Sequence, residues 1–78
     1  MTNLETYINV FAEALDVEAD QVKDLTYQSI ESWDSVGHMN LIAALEDAFD
    51  IMMDTDDIID FSSFEKGKEI LAKYDIEV

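Results

Sequence analysis

The chain has no cysteine, no proline and no arginine, and only two of its 78 residues are glycine. Without cysteine it can form no disulfide, no thiolate metal site and no cysteine nucleophile. Because proline and glycine are the residues that most strongly interrupt helices, their scarcity predicts a mainly helical chain. No unbroken apolar stretch approaches the length needed to cross a bilayer, so no transmembrane segment is predicted.

Positive charge is also scarce. Four lysines stand against 19 acidic residues, which gives a net charge of −15, and no basic residue lies between Asp24 and Glu65. Nucleic acids and anionic membranes are poor partners for such a chain, because phosphate binding relies on lysine and arginine. Basic protein partners are favoured, since long-range attraction speeds their encounter. The alternative, that the acidity serves only solubility, stays open at this point.

The apolar fraction of 49% is typical of a folded domain and too high for a disordered acidic tail. We expect one domain over residues 1–78, which buries about 60–65% of the surface of the unfolded chain. A core of that size leaves little room for an enclosed active site, which favours a binding or carrier module over an enzyme. The segment Met1–Glu5 lacks the basic start and apolar run of a signal peptide, so a cytoplasmic protein is expected.

Apolar residues near the N-terminus recur at spacings of four, three and four, which is typical of one helix face. These residues are Leu4, Ile8, Phe11 and Leu15. The sequence as a whole predicts an all-α chain. A first helix from Thr2 or Asn3 to Leu15 is followed by a long ordered loop from Asp16 to Trp33, whose apolar residues are expected to enter the core. A second helix from Asp34 or Ser35 to near Asp50, a short helix or turn around Asp56 to Asp60, and a last helix capped by Ser62 or Ser63 that ends near Tyr74 complete the chain. Gly67 within the last helix costs about 1 kcal/mol relative to alanine.

The second helix has two faces when its residues are placed at about 100° per residue. The predicted core face is wide and apolar, and consists of Leu41, Ile42, Ala44, Leu45, Ala48 and Phe49. The opposite face carries polar residues together with three apolar ones, Val36, Met39 and Ala43. Small apolar patches rimmed by charge often mark contact sites, and methionine adapts to varied partners. Packing of these three residues against the loop or the short helix is an equally good interpretation.

The segment Trp33–Ile42, WDSVGHMNLI, resembles the Asp-Ser-Leu motif of acyl and peptidyl carrier proteins, with Val36 where leucine is usual. Its Trp-Asp-Ser opening resembles variants among discrete carriers outside the main fatty-acid pathway. Residues 41–49, LIAALEDAF, resemble the helix that follows this motif and ends in an acidic pair and phenylalanine. Ser62-Ser63-Phe64 and then Ile70-Leu71 are similar to the last helix of the family, so the resemblance covers essentially the whole chain.

The resemblance implies a small four-helix bundle of three longer helices and one short helix, with a long loop between the first two. It implies that Ser35 carries 4′-phosphopantetheine derived from coenzyme A, and that Asp34 helps to position the site and contacts the phosphopantetheinyl transferase. The arm then supplies the thiol, which explains how a cysteine-free chain can carry thioesters. A helix N-terminus favours the phosphate of the arm. Taken alone, Asp-Ser before an apolar helix indicates only an N-cap.

By the same resemblance, Val36, Met39 and Ala43 match the exposed apolar positions that bind partner enzymes, with Glu46 and Asp47 as their acidic rim. Asn40 is assigned to the same face, although glutamate is frequent there. Gly37 replaces a frequent acid, and Asp54 stands where proline is common. The implied partners are the transferase and acyl-loading and acyl-accepting enzymes with basic docking patches, and the carrier itself is a non-catalytic monomer.

The residues around Ser35 do not form the pattern of a hydrolase. Ser35 and His38 are neighbours on one helix, but the chain has no Gly-x-Ser-x-Gly elbow, so a hydrolase is not predicted. His38 is interpreted as a packed helix residue, with a contact to the arm as the alternative. Trp33 is interpreted as a loop anchor against the core, with a substrate contact as the alternative.

The segment from Asp54 to Glu65 is only superficially similar to a calcium loop. Ile59 stands at the glycine position and Ile58 at a ligand position, so a specific calcium site is not predicted, and loose binding of divalent cations to the acids stays open. The leading alternative to a carrier is an acidic helical interaction module without a prosthetic group.

Overall fold

The computed structural model describes residues 2–78, and this part of the chain forms four α-helices and one 3₁₀ helix without any strand. The α-helices are α1 (Asn3–Leu15), α2 (Ser35–Phe49), α3 (Thr55–Asp60) and α4 (Phe64–Ala72), and the 3₁₀ helix spans Ala19–Asp24. The predicted all-α class is confirmed.

The α-helices begin and end where local capping groups predict. Thr2 and Glu5 form a capping box at the start of α1, with the Glu5 amide donating to the Thr2 hydroxyl at 3.1 Å. The Ser63 hydroxyl accepts from the Lys66 amide at 2.9 Å, so Ser63 rather than Ser62 caps α4. Asp16 and Asp50 end α1 and α2 in the left-handed conformation, at φ 56° and 54°. The boundaries predicted for α1 and α2 are therefore confirmed.

The connection between α1 and α2 contains regular secondary structure that was not predicted, because residues 19–24 form a 3₁₀ helix. A short 3₁₀ helix shows no 3.6-residue periodicity, which is why the sequence pattern indicated only a loop. Val22 and Leu25 are buried, as expected for apolar residues of this segment. The segment is also joined to the start of α4, since the Phe64 amide donates to the Leu25 carbonyl at 3.0 Å.

The core is centred on aromatic rings from α1, α4 and the connecting segments. Phe11 packs against four of them, Tyr7, Trp33, Phe61 and Phe64, at centroid distances of 5.0 to 5.9 Å. The predicted face of α1 is wrong in one respect: Tyr7 is fully buried, whereas Leu4 is exposed. Tyrosine can take a core position because its hydroxyl donates to the Phe64 carbonyl at 2.7 Å. Burial, with a smaller contribution from Glu65, raises the pKa of Tyr7.

Gly67 lies in α4 at the closest approach to this aromatic cluster. A β-carbon at this position would overlap the Tyr7 hydroxyl and the Phe61 ring. The glycine therefore permits a packing distance that no other residue allows, and this explains its presence inside a helix despite its low propensity.

The short helix α3 is fastened to the end of α4 through Asp57, which is buried. The Asp57 carboxylate accepts from the Lys73 ammonium and from the Tyr74 hydroxyl, the latter at 2.6 Å. The hydrogen bond from Lys73 and, to a smaller extent, that from Tyr74 hold the pKa of Asp57 below its usual value. The Tyr74 hydroxyl also accepts from the Asp54 amide at 2.9 Å. These bonds fix α3 beside α4.

Candidate functional site

Ser35 is the first residue of α2, and its side chain is exposed. The capping position belongs to Asp34, whose Oδ1 accepts from the Gly37 amide at 2.8 Å. Ser35 is therefore not the N-cap, and its hydroxyl is not required to close the helix terminus. An exposed hydroxyl without a capping role is accessible to a modifying enzyme.

The first turn of α2 passes very close to the end of the preceding loop. A β-carbon on Gly37 would overlap the Ser32 carbonyl oxygen, and Gly37 is buried. A residue with a side chain would push the loop away from the helix at the position of Ser35. An acidic side chain in place of Gly37 is therefore incompatible with this packing.

Tyr27 lies beside Ser35, and the sequence pattern did not reveal this. The Tyr27 hydroxyl is 3.3 Å from Ser35 Oγ. We expected the apolar residues of the loop to enter the core, but Tyr27 is partly exposed. Its position depends on pairing with a distant segment, since its amide donates to the Ser62 carbonyl at 2.7 Å next to the isolated bridge between Thr26 and Ser63. No local periodicity encodes such a pairing.

Trp33, His38 and Ile58 connect the loop, α2 and α3. The indole N–H of the fully buried Trp33 donates to Nδ1 of His38 at 3.0 Å. Because Nδ1 accepts, Nε2 carries the ring proton and donates to the Ile58 carbonyl at 2.7 Å. Both ring nitrogens are used in these bonds and neither reaches Ser35. Trp33 is confirmed as a loop anchor, and His38 is confirmed as a packed helix residue.

A groove with a volume of about 350 Å³ opens beside Ser35, between α2, α3 and the loop. Its walls are mostly apolar, and we call it the Ser35 groove. It is lined by Tyr27, Ser35, His38, Met39, Ile58, Ile59, Phe61 and Ser62.

Most of the residues that the sequence assigns to the outer face of α2 are exposed. Val36 and Met39 are 70% and 55% exposed. Asn40, Ala43 and Asp47 are exposed as well. The alternative in which Val36 is covered by the loop or the short helix is therefore wrong, whereas Met39 also lines the Ser35 groove.

Glu46 differs from the rest of this face. It is half-buried, and its Oε2 accepts from the Met53 amide at 2.9 Å, so it holds the chain that follows α2. On the predicted core face, Leu41, Ile42 and Leu45 are buried, but Ala48 is exposed. Two further exposed apolar residues were not singled out from the sequence: Ile59 in α3 is 71% exposed and Met52 is 86% exposed.

Residues 24–65 contain no lysine or arginine, and none of the residues that line the Ser35 groove is positively charged. Among residues 2–78, no group of three histidine or acidic side chains is arranged to hold a metal ion. In the same range, no helix is both long and apolar enough to cross a membrane.

Fold and site together define a small all-α protein with an exposed serine at the start of a helix, next to an apolar groove and a mixed apolar and acidic surface. No family model, no curated protein and no solved structure matches this chain.

Proposed function

We propose that this chain is an acyl carrier protein in which Ser35 bears 4′-phosphopantetheine. The observation that carries the proposal is the exposed Ser35 hydroxyl at the first position of α2, where Asp34 already supplies the cap. A serine with neither a capping role nor a place in the core is free to be modified. The Asp-Ser-Val segment and its resemblance to the carrier motif support the same residue.

The surroundings of Ser35 suit a phosphodiester attached to its oxygen. The N-terminus of α2 is the positive end of the helix dipole and favours an anion there. The adjoining groove lies next to the hydroxyl, has a volume of about 350 Å³ and has mostly apolar walls. When bound, the arm supplies the thiol on which acyl, aminoacyl or polyketide groups are held as thioesters. The transferase provides the base and the magnesium-bound coenzyme A, so the carrier itself needs no catalytic residue.

The outer face of α2 is the proposed docking surface for partner enzymes. It consists of Asp34, Val36, Met39, Asn40, Ala43 and Asp47, all of them exposed. Val36 and Met39 provide apolar area, and Asp34 and Asp47 attract the basic patches of the transferase and of the acyl-loading and acyl-accepting enzymes. Glu46 adds negative charge at this edge, while its bond to the Met53 amide limits the freedom of the side chain.

The finer architecture belongs to the same proposal. We assign α1, α2 and α4 as the three longer helices of a four-helix bundle and α3 as its short helix, with the 3₁₀ helix as part of the first connection. We further propose that the protein is a cytoplasmic monomer that neither inserts into membranes nor binds nucleic acid. Its net charge of −15 supports the last point, because binding to phosphates requires cationic side chains.

The test is enzymatic modification followed by intact-mass and peptide spectrometry. The chain is incubated with coenzyme A, magnesium and a broad-specificity phosphopantetheinyl transferase. We expect a mass gain of one phosphopantetheine, located at Ser35, in the wild type. Ser32→Ala is the matched control, because Ser32 is an exposed serine three residues away, and it should be modified normally.

The Ser35→Ala variant should gain no mass under the same conditions. If several transferases leave the wild type unmodified, the carrier proposal is wrong. An acidic helical interaction module without a prosthetic group would then account for the exposed face of α2.

A further inference from the structure

The hydroxyl of Tyr27 is close to Ser35 but is not well satisfied by it. The distance of 3.3 Å between the Tyr27 hydroxyl and Ser35 Oγ exceeds the usual O–H···O range of about 2.5–3.0 Å. No other hydrogen bond of this hydroxyl is found among residues 2–78. The Tyr27 hydroxyl therefore lies within hydrogen-bond reach of the atom on which the phosphodiester would form, and its one bond there is long.

The ring of Tyr27 is held in place from several directions. Its main-chain amide donates to the Ser62 carbonyl at 2.7 Å. The ring meets His38 edge-to-face at a centroid distance of 5.3 Å, and His38 is fixed by Trp33 and Ile58. A donor whose position is fixed before a ligand is present loses little conformational freedom when it binds.

Charge makes such a neutral donor important at Ser35. No lysine or arginine occurs in residues 24–65, so a phosphodiester in this region has no cation within its own segment. Within the first turn of α2, the Gly37 amide donates to the Asp34 side chain and the His38 amide to the Asp34 carbonyl. These two amides are consequently unavailable to the phosphate. The Tyr27 hydroxyl then becomes the side-chain donor best placed for it.

We propose that Tyr27 is a positioning residue for the prosthetic arm: its hydroxyl donates to the phosphodiester at Ser35 and restrains the arm on the side of the Ser35 groove. This inference rests on the proposed function. In the unmodified chain the same hydroxyl makes only the long contact with Ser35 Oγ. Modification of Ser35 replaces this neutral acceptor with an anionic one, to which hydrogen bonds are shorter and stronger.

The experiment compares holo chains by phosphorus NMR. Wild type and Tyr27→Phe are modified enzymatically, and complete conversion is verified by mass spectrometry. The phosphodiester of the urea-unfolded holo chain gives the reference shift of an unrestrained arm. Tyr27→Phe keeps the ring and its contacts, so it should fold and be modified, but its phosphorus resonance should move toward the unfolded reference. Loss of one hydrogen bond to a charged group corresponds to a roughly 10- to 150-fold lower ratio of restrained to free arm.

Tyr74→Phe is the matched control, because it deletes the same atom from a tyrosine whose hydroxyl bonds to Asp54 and Asp57 instead. Its phosphorus resonance should stay at the wild-type position. A second readout is the set of nuclear Overhauser effects between the Tyr27 ring protons and the methylene next to the phosphate, which we expect in the folded wild type.

The outcomes separate the two proposals. If the wild type is modified at Ser35 but has the same phosphorus shift as Tyr27→Phe and shows no such Overhauser effects, the role of Tyr27 is refuted and the carrier function stands. If no transferase modifies Ser35, both proposals fail.

Discussion

Trp33 donates its indole N–H to Nδ1 of His38 at 3.0 Å, and His38 in turn donates from Nε2 to the Ile58 carbonyl at 2.7 Å. One imidazole thus joins the buried end of the loop to a helix on the opposite side of the Ser35 groove. Because Nδ1 accepts from the indole, the geometry places a ring proton on Nε2. The groove therefore has walls that are connected by side-chain hydrogen bonds as well as by packing.

Removal of this imidazole should destabilise the fold. His38→Ala leaves the buried indole N–H of Trp33 without an acceptor, which costs about 1–3 kcal/mol in the free energy of unfolding. Urea denaturation followed by tryptophan fluorescence measures the loss. Asn40→Ala, an exposed change in the same helix, should stay within about 0.5 kcal/mol of the wild type. Equal stabilities of the two variants would show that the Trp33–His38 bond contributes nothing.

The parts of the fold that follow from local rules could be predicted from the sequence. The capping residues Thr2, Asp34 and Ser63 lie within three residues of the amides that they bind, so helix starts follow from short segments. The buried face of α2 at Leu41 and Leu45 likewise follows from helical spacing. The place of Ser35 at the start of α2 follows from the same local rules.

The parts that depend on distant partners could not be predicted. Tyr7 is in the core because its hydroxyl meets a carbonyl 57 positions later, and no pattern within α1 reveals this. Tyr27 reaches Ser35 only because the loop pairs with the start of α4. Helical spacing places Glu46 on the solvent-facing side of α2, and the family resemblance assigns it to the docking rim, yet it binds an amide beyond the end of α2. Tertiary contacts decide each of these positions.

Gly67→Ala should lower the stability of the protein even though alanine favours helices. The substitution gains about 1 kcal/mol in helix propensity. Its β-carbon overlaps the Tyr7 hydroxyl and the Phe61 ring, and overpacking of this kind costs about 1–3 kcal/mol. The hydrogen bond from Tyr7 to the Phe64 carbonyl is strained as well. We therefore expect a lower melting temperature by circular dichroism.

The Tyr7→Phe background provides the control for this clash. Without the hydroxyl, one of the two overlaps is removed, so Gly67→Ala should cost less in Tyr7→Phe than in the wild type. A melting temperature above that of the wild type for Gly67→Ala alone would mean that helix propensity outweighs the clash, contrary to our expectation.

The ion pair of Asp57 should make stability depend on pH. The bonds from Lys73 and Tyr74 lower the pKa of Asp57 in the folded chain, so the stabilisation is fully present above the usual aspartate pKa of about 3.9. This stabilisation is lost as the pH falls through the lower pKa that Asp57 has in the folded chain. In that range the carboxyl group is protonated at a higher pH in the unfolded chain than in the folded chain. Stability contributed by this group thus rises with pH across that acidic window.

Comparison of variants isolates this effect from the general repulsion among the acids. Urea unfolding of Asp57→Asn and of the wild type should differ at neutral pH, and the difference should shrink in acid. Asp56→Asn removes the same charge from an exposed neighbour in α3 and should show a much smaller difference at neutral pH. A gap between Asp57→Asn and the wild type that stays constant throughout the acidic window would contradict the assigned role of the Asp57 carboxylate.

Met39 tests the docking surface without disturbing the core. Its side chain is 55% exposed between the exposed Val36 and Ala43 on the same face of α2, so a glutamate at this position is tolerated by the fold. A new negative charge in an apolar contact must be desolvated when a partner binds, which opposes association. We expect Met39→Glu to lower kcat/KM for modification by the transferase about tenfold, equivalent to about 1.4 kcal/mol.

Ala48→Glu is the control, because it places the same charge on the exposed rear of α2. It should leave kcat/KM near the wild-type value, with unchanged circular dichroism in both variants. Because both variants add one negative charge to the same helix, a difference between them measures the position of the contact and not the net charge. Equal values of kcat/KM for the two variants would mean that Met39 is not part of the docking surface.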